Sequence, residues 1–162
     1  MAYIYPAPGN ANAEVTLTLT MVSDTNNTAL DIPALQDVTL NAANDVFTWT
    51  QLDSASKLQI ATTATNSLSM NIVLEQTTFF GTTGSGGTTA PAAGIFGLSN
   101  DKAKVNFELY MGDTDAGAPG KIISGSGYIT GLAPTVSADS PVWVSPITIT
   151  VDGDYTVTTA AT

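Results

Sequence analysis

Carboxylates are almost the only side chains in this sequence that could take part in acid, base or metal chemistry. The 162 residues include 14 Asp and Glu and four Lys, and they include no His, Cys or Arg. His titrates near neutral pH, the Cys thiolate is a ready nucleophile, and Arg is the usual clamp for phosphate. The composition therefore disfavours an enzyme and favours a protein that assembles.

The spacing of the carboxylates singles out no reactive site. Any two could in principle form an acid and base pair, as in glycosidases, but no pair stands out. Asp113 and Asp115 are spaced like the start of a calcium loop, yet Ser124 occupies the position that requires a bidentate Glu. The glycine-rich run GTTGSGG lacks the Gly-Lys-Ser/Thr ending of a phosphate loop. We expect neither a metal nor a cofactor.

Apolar and polar residues alternate along most of the chain, and this pattern predicts half-buried β-strands. It is clearest in Glu14–Val22 and recurs at Leu68–Leu74, Val105–Tyr110 and Ile147–Val151. Weaker alternation pairs Phe47 with Trp49, which we expect in the core, and Leu58 with Ile60. The length fits one domain over residues 1–162. The predicted fold is mainly β, a barrel or sandwich of antiparallel strands.

A few segments interrupt the strand pattern. Gly81–Pro91 is low in complexity and predicts a long loop, and Ala92–Lys104 predicts one short helix. Asp152–Gly153 predicts a two-residue turn that folds Ile147–Val151 back onto Tyr155–Val157. No apolar stretch reaches the length of a membrane-spanning helix, so we expect no membrane contact.

The C-terminal third resembles the end of bacteriophage major tail tube proteins. The resemblance lies in Gly120–Gly131, GKIISGSGYITG, interpreted as a strand ending in a small-residue turn and Gly-Tyr-Ile-Thr. A polar connector, Leu132–Asp139, and the alternating segment Ser140–Thr158, SPVWVSPITITVDGDYTVT, follow. The order of the preceding strands, loop and helix is also similar.

This resemblance implies a structural protein of the virion tail, assembled in the host cytoplasm. Six copies would form a ring, rings would stack into a tube together with other tail proteins, and DNA would pass through the bore without specific binding. The net charge of −10 suits that passage because acidic walls repel phosphate. Four acidic residues in or beside predicted strands are candidates for lining the bore: Glu14, Asp45, Glu75 and Glu108.

Subunit contacts are expected at aromatic and flexible segments. Phe79, Phe80 and Trp143 are candidates for the subunit interface, since aromatic residues are enriched where subunits meet. For contact between rings, the candidates are Ala42–Ser56 and the glycines of the long loop, which are Gly84, Gly86 and Gly87.

Two other non-catalytic functions fit the same composition. A capsid decoration protein would also be acidic and rich in β-structure, but it would form trimers or monomers on a shell. An adhesin or fibre module would bind a glycan through Trp143 or Tyr128.

Overall fold

A computed structural model of the chain describes residues 15–32, 35–52, 56–63, 65–112 and 120–160. These residues form eleven strands and two helices. The elements are β1 (Val15–Met21), β2 (Leu30–Ile32), β3 (Leu35–Asn41), β4 (Asn44–Thr50), β5 (Lys57–Thr63), β6 (Ser67–Val73), α1 (Gln76–Phe80), α2 (Ala90–Asn100), β7 (Lys104–Met111), β8 (Lys121–Leu132), β9 (Thr135–Ser137), β10 (Ser140–Val151) and β11 (Thr156–Thr159). Neither described helix is long and apolar enough to cross a membrane.

Nine of the strands form one antiparallel sheet in the order β2-β1-β7-β8-β10-β6-β3. Strand β11 pairs with the first part of β8, and β9 pairs with β10. The alternating residues of β1, β6, β7 and β10 point into a single buried cluster, which also receives residues of α2. Because strands from both ends of the sheet contribute to this one core, the sheet must curve around it. The predicted antiparallel, mainly β fold of the sandwich or barrel kind is confirmed.

The described residues form two helices where the sequence predicted one. The Glu75 side chain caps α1, and the Thr89 side chain caps α2, which therefore begins before the predicted Ala92. Helix α2 is kinked at Gly94, where the backbone adopts φ 65° and ψ 173°. It ends at Asn100, and Lys102 with φ 51° turns the chain away into β7. Helix α1 was missed because five residues carry too little periodicity to reveal a helix.

The hairpin predicted at Asp152–Gly153 is wrong. Strand β11 pairs with β8, from Thr156 opposite Ser124 to Thr159 opposite Lys121. The end of β10 has no free edge, since β6 lies on one side and β8 on the other. After the turn at Gly153, whose φ is 90°, the chain reaches the unpaired edge of β8.

The small-residue turn predicted before Gly-Tyr-Ile-Thr is also wrong, because β8 runs as one strand from Lys121 to Leu132. Gly127 is needed there for close packing. A Cβ atom at this position would lie 2.2 Å from the backbone oxygen of Thr150. Small residues in this segment therefore let β10 approach β8.

Candidate assembly surfaces

Strands β4 and β5 form a separate two-stranded hairpin, which we call the arm. The arm continues the ribbon formed by β3 and β6, because Asn41 pairs with Ser67 and Asn44 pairs with Thr63 a few residues further on. At roughly 3.3 Å per residue, seven-residue strands make the arm about 23 Å long.

The arm has one apolar face that no described element covers. Phe47 lies opposite Ile60 and Trp49 lies opposite Leu58, so these four side chains share one face. The Phe47 and Trp49 rings are 6.0 Å apart, and Phe47 and Ile60 are 60% and 56% exposed. The expectation that Phe47 and Trp49 lie in the core is therefore wrong, because neither ring belongs to the core cluster, although Trp49 is partly buried. A two-stranded hairpin is marginally stable by itself, so this face is a candidate surface for a partner.

A polar row crosses the outer face of the sheet, on the side opposite the core. Strand register places Asp31, Thr18, Glu108, Ser124 and Thr156 side by side on β2, β1, β7, β8 and β11. The Ser124 and Thr156 hydroxyls are 2.9 Å apart and hydrogen-bonded. Asp31 and Glu108 are two strands apart, or about 10 Å. The row combines two carboxylates with hydroxyl groups.

The same face forms a shallow depression of about 700 Å³ around Glu108, lined by Thr, Ser and Asn side chains and by Asp154. Lys104, four residues before Glu108 on β7, is paired with another residue. Its Nζ lies 2.6 Å from Oδ2 of Asp152, and this hydrogen bond raises the pKa of Lys104. Among the described residues, no three acidic side chains are arranged to hold a metal ion. This face is suited to repel anions and offers no clamp for them.

A second apolar surface lies on the helices. Phe80 and Phe96 are 50% and 43% exposed, and their ring centroids are 5.8 Å apart. We call this pair the aromatic patch. Phe79 lies beneath it and is only 1% exposed, with its centroid 5.0 Å from that of Phe80. The expectation that Phe79 lies in a subunit interface is therefore wrong, since this ring packs in the core of its own chain.

The glycine-rich segment after α1 is packed against α2. The backbone N–H of Thr83 donates to the carbonyl of Ala92 at 2.9 Å, and that of Gly86 donates to Oδ2 of Asp101 at 2.6 Å. A Cβ atom at Gly87 would lie 2.6 Å from the backbone nitrogen of Ala93. Gly84, Gly86 and Gly87 therefore belong to a segment with intramolecular packing, whatever further contact they make.

The structure does not bring the acidic candidates together. Glu108 lies on the polar row, whereas Asp45 lies on the arm opposite Thr62. Glu75 caps α1, and hydrogen bonds from the Thr77 and Thr78 hydroxyls and from the Thr78 N–H lower its pKa to about 2. Sequence reasoning missed Asp31, although the alternation in Leu30–Ile32 could have indicated its outward side chain.

The remaining residues selected from the sequence are Trp143, Glu14, Asp113 and Asp115. Trp143 lies on β10 and is about half exposed, so it stays a candidate for a subunit interface. Glu14, Asp113 and Asp115 lie outside the described residues.

Comparison with known proteins gives likeness in structure only. No family model matches the sequence, and no curated sequence matches it significantly. The sheath and tube terminator of an extracellular contractile injection system, PVC, is 17% identical with a TM-score of 0.56, covering 97% of this chain and 99% of that chain. The tail of a gene transfer agent particle, determined with C6 symmetry, is 14% identical with a TM-score of 0.57, covering 87% and 95%.

The SPP1 tail tube has a TM-score of 0.60 at 11% identity, and the match covers 92% of this chain and 78% of the SPP1 chain. These likenesses extend over nearly all of the present chain. At the level of the fold, the predicted resemblance to tail tube proteins is confirmed.

Proposed function

We propose that this chain is a structural subunit of a phage-type tail tube. Six copies form a ring, and rings stack into a tube in the virion tail, with other tail proteins at its ends and with assembly in the host cytoplasm. The observation that carries the proposal is the likeness in fold, over most of the chain, to subunits of tail tubes and tube terminators.

The arm supports self-assembly independently of that likeness. No described element of the monomer covers its apolar face, and an exposed apolar strand pair favours association with another chain. Association through buried apolar area also suits an acidic chain, because each additional copy adds like charge that cannot itself hold the ring together.

The polar row is our candidate for the bore wall. Glu108 is retained from the residues selected on sequence, and Asp31 joins it through strand register. Phosphates would meet carboxylates and hydroxyl groups there, and the nearby Lys104 is already paired with Asp152. An even repulsion would let DNA slide without local binding.

Electron microscopy of the purified protein tests the tube. At physiological salt we expect hollow tubes with sixfold symmetry. A protein that stays monomeric at high concentration, or that forms trimers which decorate capsids, would contradict the proposal and favour the decoration protein instead.

A tube terminator is the second candidate, because the PVC terminator matches over nearly the full length of both chains. A terminator would give single rings that bind the end of a preformed tube. Single rings with no tubes, at every protein concentration tried, would decide in its favour.

Charge reversal tests the bore. Particles built with Glu108→Lys should assemble but eject DNA more slowly, because a row of ammonium groups would bind phosphate. Asp139→Lys, in the turn between β9 and β10, reverses one charge away from the polar row and serves as the control. Equal ejection by both variants would show that Glu108 does not line the bore.

A further inference from the structure

We infer that the arm of one copy docks its apolar face on the aromatic patch of a second copy. The inference rests on the proposed self-assembly and adds to it a specific pair of surfaces, one with Phe47 and Ile60 and the other with Phe80 and Phe96.

Charge distribution favours this pair of surfaces. In a chain of net charge −10, the strands of the arm carry one acidic residue, Asp45, and one basic residue, Lys57. Residues 76–100, which include both helices and the aromatic patch, carry no charged side chain. Strand register places Asp45 on the apolar face of the arm and Lys57 on the opposite face. Two copies that approach through these surfaces therefore bring one carboxylate per contact towards a surface without charge, whereas most other approaches bring acidic surfaces together.

The aromatic patch is held in place before any partner arrives. Phe79 is buried beneath both exposed rings, with centroids 5.0 Å from Phe80 and 6.2 Å from Phe96. Glu75 caps the helix that carries Phe80. A preorganised aromatic surface loses little side-chain entropy on binding, which is typical of the residues that dominate interface energies.

The two surfaces also resemble each other because each presents a pair of neighbouring aromatic rings. The arm presents Phe47 and Trp49 with rings 6.0 Å apart, and the patch presents two rings 5.8 Å apart. Aromatic pairs at such separations add attraction beyond the burial of apolar area. The rival surface around Trp143 is less suitable, since Trp143 adjoins the aliphatic Val142 and not a second ring, in a part of β10 where the register with β9 is irregular.

The inferred contact is heterologous because the arm and the patch are different surfaces of one chain. Heterologous contacts repeat from copy to copy, so they close into a ring or continue as a stack. This is the type of contact that a tube needs.

Cross-linking gives a direct test because the chain has no cysteine. Thr62→Cys places a thiol on the apolar face of the arm beyond Ile60, and Asn100→Cys places one four residues from Phe96 on α2. The two single-cysteine proteins are mixed, allowed to assemble, and treated with a bifunctional thiol reagent of about 10 Å reach, the order of two strand spacings. We expect a covalent dimer that contains one copy of each protein.

The control mixture combines Thr62→Cys with Val142→Cys, which lies beside Trp143. We expect at least about tenfold less dimer there, since contacts outside an interface centre contribute little. A reversed ranking would move the docking site to Trp143 and overturn the inference. Tubes without any Thr62–Asn100 dimer would overturn it while leaving the proposed function intact, and absence of all assembly would overturn both.

Charge complementation provides a second test. Phe47→Lys or Phe96→Glu should each raise the protein concentration needed for assembly at least about tenfold, and the double variant should recover most of that loss because the new charges face each other. Thr48→Lys, on the polar face of the arm, should leave assembly unchanged. A double variant as defective as the sum of its single variants would show that the two residues do not meet.

Discussion

Gly94→Ala should destabilise the fold far more than the same added methyl group at Gly86, which lies in the glycine-rich segment after α1. Gly94 lies at the kink of α2, with φ 65° and ψ 173°, a backbone region that is essentially restricted to glycine. A Cβ atom there would lie 2.3 Å from the nitrogen of Gly81 and 2.6 Å from the carbonyl carbon of Phe80. Both are backbone atoms, so no side chain can rotate away.

The magnitude follows from three contributions. Placing Ala in this backbone region costs roughly 1–3 kcal/mol, and overpacking a close contact costs about 1–3 kcal/mol more. The reduced entropy of the unfolded chain returns about 0.4–1 kcal/mol. The free energy of unfolding should therefore fall by roughly 3 kcal/mol, and the urea midpoint by about 1–2 M.

Gly86→Ala is the matched control. Gly86 also has a positive φ, of 68°, but a Cβ atom there would meet nothing within 4 Å. Only the backbone contribution applies, and we expect a loss of about 1 kcal/mol or less. Urea denaturation of both variants, at concentrations too low for assembly, measures the difference. Equal losses would refute the conclusion that close contact with the backbone of Phe80 and Gly81 adds to the cost of the backbone angle at Gly94.

Three further predictions concern neighbouring features. Phe79→Ala should cost about 3–5 kcal/mol of unfolding free energy because it empties a core position, and Phe80→Ala should cost less than about 1 kcal/mol; similar losses in thermal or urea denaturation would contradict the burial difference. Because the folded pKa of Glu75 is about 2, below its ordinary value of 4.5, its stabilising effect is present above pH 4.5 and is lost as the pH falls towards 2. Glu75→Gln should therefore be less stable than the parent at pH 6 but not at pH 2, and an equal gap at both would refute this assignment. Assembly should begin at a higher protein concentration in 0.01 M salt, where the screening length is about 30 Å, than in 0.15 M salt, where it is about 8 Å; light scattering that shows the same onset would exclude repulsion between copies as a limit.

Much of the secondary structure could be predicted because it depends on local patterns. A strand such as β1 alternates side chains between its two faces, so Leu17 and Leu19 signal their burial within a few residues of sequence. The absence of His, Cys and Arg likewise needs no structure to be recognised, and it rules out chemistry that depends on those three side chains. The resemblance of the C-terminal third to tail tube proteins also came from local motifs, and the fold agrees with it.

The partners of these elements could not be predicted in the same way. Strand β11 follows β10 in sequence but pairs with β8, because both edges of β10 are already occupied at that end. Which strand edges are free depends on how the whole sheet is paired, and a local sequence pattern carries no information about that pairing.

For the candidate surfaces too, local sequence predicted the strand pattern but not which side chains are buried. Phe47 and Trp49 alternate with polar residues as in a core strand, yet no element in the described part of the chain covers the apolar face of the arm. Phe79 and Phe80 are adjacent in sequence, and only the packing of α1 on α2 buries one and exposes the other. The sequence by itself determined most of the long strands and which reactive side chains the protein lacks. Only the tertiary structure decided which apolar and acidic faces are left for a partner, since burial depends on residues that are distant in the chain.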